Sequence, residues 1–205
     1  MKITAKNGKG NKIHISADGE YVATVDSDFW YSSKIINGDD ITQDELTAFL
    51  EAVSFRRAYN RALDIISRRD HCKKELVKKL EQKMVDKQVA QDVVNAIEEL
   101  GFINEEEYAI RLSQELLRRK GMSAFRIRQE LISRGIPREI AENAVEELDT
   151  DEKECIINLL NTKFSSRNLS DEKELRRTIN ALMRLGYQYS DIKNAIEEQE
   201  FGSNV

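Results

Sequence analysis

A five-residue string recurs three times along this chain, near the ends of consecutive helical patterns. It reads NAIEE at Asn95–Glu99, NAVEE at Asn143–Glu147 and NAIEE again at Asn194–Glu198, with spacings of 48 and 51 residues. A period of this length corresponds to a supersecondary unit, and such units bury their apolar faces by stacking on neighbours. The repeat therefore predicts a tandem helical array, an architecture that typically offers a long surface to a macromolecule.

The spacing of apolar residues divides each repeat into three helices. Leu131 to Gly135 aligns with Leu182 to Gly186 at the same offset of 51 residues that relates the last two strings. Pro137 is predicted to begin a helix, because the first helical turn does not need its missing N–H. We expect a mainly α protein built from three tandem three-helix repeats. The predicted segments are a small β region at 1–40, a connecting helix at 41–55, and repeats at 56–101, 102–149 and 150–205.

The first forty residues follow a different pattern. Lys12–Ser16 and Tyr21–Val25 alternate polar and apolar residues on either side of Asp18-Gly19, a pair typical of a type I′ turn. This predicts a β-hairpin, and because an isolated hairpin is marginal in water, we expect a third strand or packing on the next helix. Thr42 and Glu45 form a predicted capping box at the start of that helix. The residues leave open whether the hairpin is a structural cap or a second contact site.

Charge is segregated along the chain, although the net charge is −5. Residues 56–83 hold ten Lys or Arg against four acids, whereas residues 92–107 hold six acids and no base. Residues 111–138 return to eight bases against two acids, and residues 139–154 hold eight acids against one base. If equivalent helices stack, the cations collect into a basic track suited to phosphate groups or to an acidic protein face.

Twelve cations from the two basic stretches are the candidate binding residues. They are Arg68, Arg69, Lys73, Lys74, Lys78, Lys79, Arg111, Arg118, Arg119, Lys120, Arg126 and Arg128. The alternative for any one of them is a solvated helix face with i,i+4 ion pairs, such as Glu75 with Lys79. Few aromatic residues interleave with these cations, so contact with a charged backbone or a protein is favoured over base stacking.

The sequence offers no catalytic constellation. His14 lies in a predicted strand and is expected at the surface, and His71 is expected to cap a helix or face solvent. Cys72 shares an apolar stripe with Leu76, so core packing is favoured over a reactive thiol, and the two cysteines lack the spacing of a zinc site. The acids Glu105–Glu107 complement the dipole of a helix start more simply than they bind a metal. We expect no enzyme and no cofactor.

The apolar pattern also bears on location. No apolar run approaches the ~18 residues that span a bilayer, and the first residues lack the apolar core of a signal peptide. The expectation is a cytoplasmic protein without a membrane partner.

Three segments resemble the signatures of the RecX regulators of the RecA recombinase. They are Ile66–Leu76 with Leu80, Leu100–Ala109, and Gly121 followed by Arg126–Leu131 and Gly135-Ile136. Cys72 stands where serine is usual in that family, and Asn104 and Glu105 stand where aspartates are common. The β-hairpin and the helix after it are similar to the front end of the longer RecX proteins of Gram-positive bacteria.

The resemblance implies an elongated crescent of helical repeats that lies in the groove of a RecA–single-stranded DNA filament. We expect the free protein to be a monomer. It implies regulation, mostly inhibition, of the ATPase, strand exchange and growth of that filament, without a cofactor. The alternative is a helical-repeat nucleic-acid binder without a recombinase partner, whose DNA affinity falls steeply with salt. A small hydrolase, the third class, requires turnover that depends on His71 or Cys72. The sequence leaves open whether RecA is inhibited or stimulated and whether single- or double-stranded DNA is contacted directly. It also leaves the oligomeric state of the free protein open.

Overall fold

The computed structural model describes residues 1–148 and 150–202. Helices dominate it, and the N-terminal residues form a three-stranded antiparallel sheet, which confirms the mainly α prediction with a small β region. The chain divides into two compact units. The first comprises residues 1–68 with 79–97, and the second comprises residues 69–78 with the described residues from 98 onward.

The strands are β1 (Ile3–Asn7), β2 (Lys12–Ala17) and β3 (Glu20–Asp26). The helices of the first half are α1 (Ser27–Ser32), α2 (Gln43–Ile66), α3 (Lys73–Glu81) and α4 (Lys87–Glu99). Those that follow are α5 (Glu105–Glu115), α6 (Ala124–Arg134), α7 (Arg138–Glu146), α8 (Glu152–Asn161), α9 (Glu172–Arg184) and α10 (Tyr189–Gly202), with a π-helical turn at Leu116–Lys120.

The predicted hairpin is present and gains a third strand. Asp18 and Gly19 have φ angles of 51° and 85° between β2 and β3, as a type I′ turn requires. β2 lies in the centre of the sheet, pairing with β3 on one side and with β1 on the other. Its apolar residues Ile13 and Ile15 are buried, so the alternation read from the sequence corresponds to one face turned to a core.

Aromatic residues and α2 supply that core. Phe29 and Trp30 of α1 lie against Phe49 of α2, with ring centroids 5.9 and 6.2 Å apart. The capping box predicted at Thr42 and Glu45 is confirmed, since each residue accepts a hydrogen bond from the other's backbone N–H. Packing on a helix gives the sheet the buried apolar area that an isolated hairpin lacks.

Two three-helix groups follow each other in the second unit, α5–α7 and α8–α10. Each encloses its own cluster of buried apolar side chains, centred on Ile127 and Leu131 in one and on Ile156 and Leu182 in the other. Pro137 is the N-cap of α7 rather than its first residue. The missing N–H costs no more at the N-cap than at the first helical position, because the N–H of the N-cap residue does not donate within the helix.

The sequence predicts an uninterrupted helix from Asn104 to Gly121, but its last turn is π-helical, Leu116–Lys120. The turn ends at Gly121, whose φ is 65°. A Cβ atom there would lie 2.5 Å from Leu159 Cδ2 of α8, so the close approach of the next group needs glycine. Wide turns of this kind are frequent at functional sites.

A hydrogen-bonded joint connects the start of α3 to the α5–α7 group. Glu105 is buried, and its Oε1 accepts a hydrogen bond from Lys73 N at 3.0 Å. The Cys72 thiol donates to the carbonyl oxygen of Arg134 at 3.2 Å. Glu105 therefore complements the N-terminus of α3, where unpaired amides and the helix dipole favour a carboxylate. The sequence interpretation had assigned it to the dipole of its own helix.

The same joint recurs between the two groups of the second unit. Burial raises the pKa of Glu152, the first residue of α8, and its contact with the backbone of Ala124, the first residue of α6, opposes that shift. Ser123 N donates to Leu185 O at 2.9 Å. Ser123 and Leu185 follow Cys72 and Arg134 by 51 residues each, so the sequence period reproduces a tertiary contact.

Replacing Glu105 with glutamine should lower the free energy of unfolding by about 1–3 kcal/mol, because a charged acceptor becomes neutral at a helix N-terminus. The carboxylate also lies 3.7 Å from Lys73 Nζ, an attraction that the amide loses. Glu106→Gln, on the exposed neighbour, is the matched control and should cost less than about 0.5 kcal/mol. Urea unfolding followed by circular dichroism measures both, and equal effects would contradict the joint.

Candidate functional site

A groove of about 540 Å³ opens along α5 and the π-helical turn in the second unit. Its lining comes from the segment before α3, from α5 and the π-helical turn, and from the end of α6. The lining residues are Arg69, Asp70, Tyr108, Arg111, Leu112, Glu115, Leu116, Arg119, Lys120 and Arg134. Five of them are cations and two are acids, so the lining itself carries a formal charge of +3. We call it the α5 groove.

Helical spacing places the α5 side chains on one face. Tyr108, Arg111, Leu112 and Glu115 follow each other at steps of three, one and three residues, which is one stripe of an α-helix. Tyr108 and Leu116 are buried, whereas Arg111 and Glu115 are exposed at the rim. The groove thus has an apolar wall with charged groups at its opening.

Arg134 sits at the back of the α5 groove and is half-buried. Its Nη2 lies 3.0 Å from Glu130 Oε1, and its Nη1 lies 3.4 Å from both Glu75 Oε1 and the Tyr108 hydroxyl. Burial raises the pKa of Tyr108, so the phenol stays protonated and donates to Glu75. These contacts hold Arg134 in place and offset its charge.

The cations at the rim are more exposed to solvent than Arg134. Arg111 Nη2 lies 2.9 Å from Asp70 Oδ2, Arg119 Nη1 lies 3.0 Å from Glu115 Oε1, and Arg69 Nη1 lies 3.7 Å from Glu75 Oε2. The Arg111–Asp70 and Arg119–Glu115 pairs are exposed, whereas Glu75 is half-buried, and exposed pairs contribute only about 0–1 kcal/mol each. An incoming phosphate or carboxylate can therefore displace the internal acids at low cost.

Four of the twelve predicted cations are brought together in the α5 groove: Arg69, Arg111, Arg119 and Lys120. Lys120 is exposed, and its side chain forms no ion pair with any residue that the structure describes. Arg118 is also exposed on the π-helical turn but does not line the groove.

The other predicted cations lie elsewhere. Lys73 is held by Glu98 at 2.8 Å and by Glu105, which gives it a structural role in the joint. Lys74 and Lys78 are exposed on α3, and Arg126 is exposed on α6. Arg128 is half-buried, and its Nε forms no hydrogen bond with the described residues. Arg68, exposed, and Lys79, half-buried, belong to the first unit.

Sequence reasoning did not include Arg134 or Tyr108 among the binding residues. Tyr108 lies three residues before Arg111, and that helical spacing was the signal available for it. Arg134 comes from the end of another helix, and only the tertiary contact with Glu75 and Tyr108 reveals its position.

The surroundings of the histidines and cysteines favour structural roles for these residues. His14 is exposed, with its Nδ1 2.6 Å from Thr24 Oγ1. His71 is buried, contrary to the solvent-facing alternative, with its Nδ1 2.8 Å from Arg69 O. Burial raises the pKa of the Cys72 and Cys155 thiols, which disfavours the reactive thiolate.

Within residues 1–148 and 150–202, no group of histidine, cysteine and acidic side chains is arranged to hold a metal ion. None of the helices described there combines the length and apolar character that crossing a bilayer requires.

Comparison with known proteins identifies the family. Residues 58–95 match the model of the first three-helix domain of RecX, and residues 104–145 match that of the second. These ranges fall inside the predicted first and second repeats. A protein named regulatory protein RecX from Caldanaerobacter subterraneus is 26% identical over 191 residues, covering 93% of this chain and 95% of the relative.

A second relative and a solved structure also show similarity to RecX proteins. A regulatory protein RecX from Trichlorobacter lovleyi is 30% identical over 144 residues, covering 68% of this chain and 94% of its own. A crystal structure of regulatory protein RecX has the same fold, with a TM-score of 0.70 at 20% identity over 94% of this chain and 97% of that one. The chain therefore belongs to the RecX family.

Proposed function

We propose that this protein binds the RecA–single-stranded DNA filament and regulates it, mostly as an inhibitor of its ATP hydrolysis, strand exchange and growth. The proposal rests on the sequence signatures and on relatives named regulatory protein RecX. Under this proposal the protein is a cytoplasmic monomer whose partner is the RecA filament. It needs no cofactor and catalyses no reaction. A ligand of this kind acts through a difference in its affinity for two filament states.

The observation that carries the proposal is the consecutive set of exposed cations on the π-helical turn. Arg118, Arg119 and Lys120 are all exposed at the end of α5, and two of them line the α5 groove. Their carboxylate partners are few and exposed, so contact with a charged surface of the filament replaces weak internal pairs. Arg69 and Arg111 extend the same proposed contact.

We also propose that the remaining predicted cations contact the filament around those already named. The segments predicted from the sequence are kept as the structural modules of the protein. The remaining cations are Arg68, Lys73, Lys74, Lys78, Lys79, Arg118, Arg126 and Arg128. Lys73 is the weakest of these candidates, because two carboxylates already engage its ammonium group. The modules remain 1–40, 41–55, 56–101, 102–149 and 150–205.

The test is RecA ATP hydrolysis on single-stranded DNA, titrated with this protein well below the RecA concentration. We expect inhibition at substoichiometric ratios, because a protein seated on the filament acts on many RecA subunits. Stimulation at the same ratios would keep the filament as partner and reverse the sign of regulation. No effect, combined with DNA binding that weakens steeply with salt, would favour the nucleic-acid binder without a recombinase partner.

A further inference from the structure

A second basic groove, of about 760 Å³, lies wholly within the first unit. The loop between β1 and β2 forms one wall, α2 forms the other, and apolar side chains form the floor. The cations are Lys9 and Lys12 on the loop side and Arg56, Arg57 and Arg61 on α2, and the lining also includes the acids Asp26 and Asp64. We call it the hairpin groove.

Two of its guanidinium groups are held in place by neutral acceptors. Arg57 Nη2 donates to the carbonyl oxygen of Thr24 at 2.7 Å, and Arg61 Nη1 donates to that of Lys83 at 2.9 Å. A carbonyl oxygen orients a guanidinium group without cancelling its charge, and most of its five N–H donors stay available. Neither arginine forms an ion pair with a carboxylate in the described part of the chain.

The other three cations are also weakly compensated. Arg56 Nε lies 3.7 Å from Asp26 Oδ2, beyond hydrogen-bond distance. This nitrogen atom is buried and forms no hydrogen bond with any described residue. Lys9 and Lys12 are exposed, and their ammonium groups pair with no described acid. This differs from the α5 groove, where every arginine of the lining lies within 4.0 Å of a carboxylate.

The geometry fits a polyanion that lies along the groove. Arg57 and Arg61 are one helical turn apart, about 6 Å along α2, which is close to twice the ~3.4 Å rise between phosphates of one DNA strand. Cations on both walls can contact a backbone that runs between them. Arginine suits this contact because its planar fork binds phosphate oxygens in pairs.

The floor distinguishes between forms of nucleic acid. Val25, Phe29 and Val53 line it, and Phe29 is half-buried, so part of its ring is open to the groove. A single strand can turn the face of a base onto an aromatic ring, whereas a duplex keeps those faces stacked inside. We propose that the hairpin groove binds the phosphodiester backbone of single-stranded nucleic acid, with a base against the Phe29 floor.

Fluorescence anisotropy of a fluorescein-labelled oligothymidine tests this with the full chain and without RecA. Lys9→Glu/Lys12→Glu removes two exposed cations whose side chains form no hydrogen bond or ion pair with the described residues, so the fold is preserved. We expect the Kd to rise at least about tenfold, and the slope of log K against log salt to fall by about 0.7 for each lost phosphate contact. Lys6→Glu/Lys87→Glu, the control, makes the same charge change in the same unit outside the groove and should alter the Kd less than about threefold.

A second variant tests the two arginines on α2 that carbonyl oxygens hold in place. Arg57→Gln/Arg61→Gln removes two charges but keeps polar groups near the carbonyl oxygens, and it should weaken binding to a similar extent. Equal Kd values for Lys9→Glu/Lys12→Glu and its control would overturn the proposal. So would displacement of the labelled strand by polyglutamate or by duplex DNA as effectively as by unlabelled oligothymidine. Because RecA is absent, these outcomes are independent of the proposed filament regulation.

Discussion

Replacing Gly135 with alanine should lower the free energy of unfolding by about 3 kcal/mol. Two costs add at this position. The φ of Gly135 is 101°, in the region that L-residues adopt only with strain, at about 1–2 kcal/mol. The added Cβ would also lie 2.7 Å from Lys74 Cβ, so the turn after α6 must move away from the start of α3. Urea unfolding measures the sum.

Gly101→Ala separates the two costs. Gly101 also has a positive φ, 76°, but nothing lies within 4 Å of the position its Cβ would take. Alanine there should cost only the backbone strain, about 1–2 kcal/mol. Gly186→Ala should resemble Gly135→Ala, because its Cβ would lie 2.6 Å from Arg126 Cβ at the second joint. If Gly135→Ala lowers the free energy of unfolding no more than Gly101→Ala does, the close packing described for the joint is wrong.

Reversing charge at the π-helical turn should abolish most of the proposed regulation. In Arg119→Glu/Lys120→Glu, two exposed cations of the α5 groove become acids. We expect the protein concentration that half-inhibits RecA ATP hydrolysis to rise at least about tenfold, since each change replaces an attraction with a like-charge repulsion. Stability should change by less than about 1 kcal/mol, because Arg119 loses only an exposed pair with Glu115.

Arg176→Glu/Arg177→Glu supplies the matched control. These arginines are also consecutive and exposed, but they lie on α9 and do not line the α5 groove. The change in net charge is identical, so a general electrostatic effect would weaken both variants equally. Equal inhibition by Arg119→Glu/Lys120→Glu and the unmodified protein would remove the α5 groove from the proposal, whereas equal loss in both variants would point to net charge alone.

The features predicted correctly are those that local interactions decide. The type I′ turn at Asp18-Gly19 and the capping box of Thr42 and Glu45 each depend on residues within four positions of one another. Their side chains and φ preferences satisfy the backbone without help from the rest of the chain. The burial of Cys72 with Leu76 followed from helical spacing in the same way.

The features that were missed depend on contacts between distant segments. His71 is buried although Arg69 and Asp70, which precede it, are exposed. The π-helical turn ends at Gly121, where Leu159 of another helix comes close. Arg134 reaches the α5 groove only because the turn after α6 docks on the start of α3. Nothing in the local pattern of the charged residues separated a groove cation from one such as Lys73, which carboxylates already engage.

The amino-acid sequence alone is enough to identify the helical repeats, the hairpin, the segregation of charge and the family signatures. These follow from periodicity and from short-range preferences, which the chain carries whatever its tertiary arrangement. The folded arrangement of the chain is needed to learn which cations are compensated, which are held by neutral carbonyl oxygens, and which share a groove. The physical reason is that an ionic interaction depends on the distance to its partner and on solvent exposure, and packing sets both.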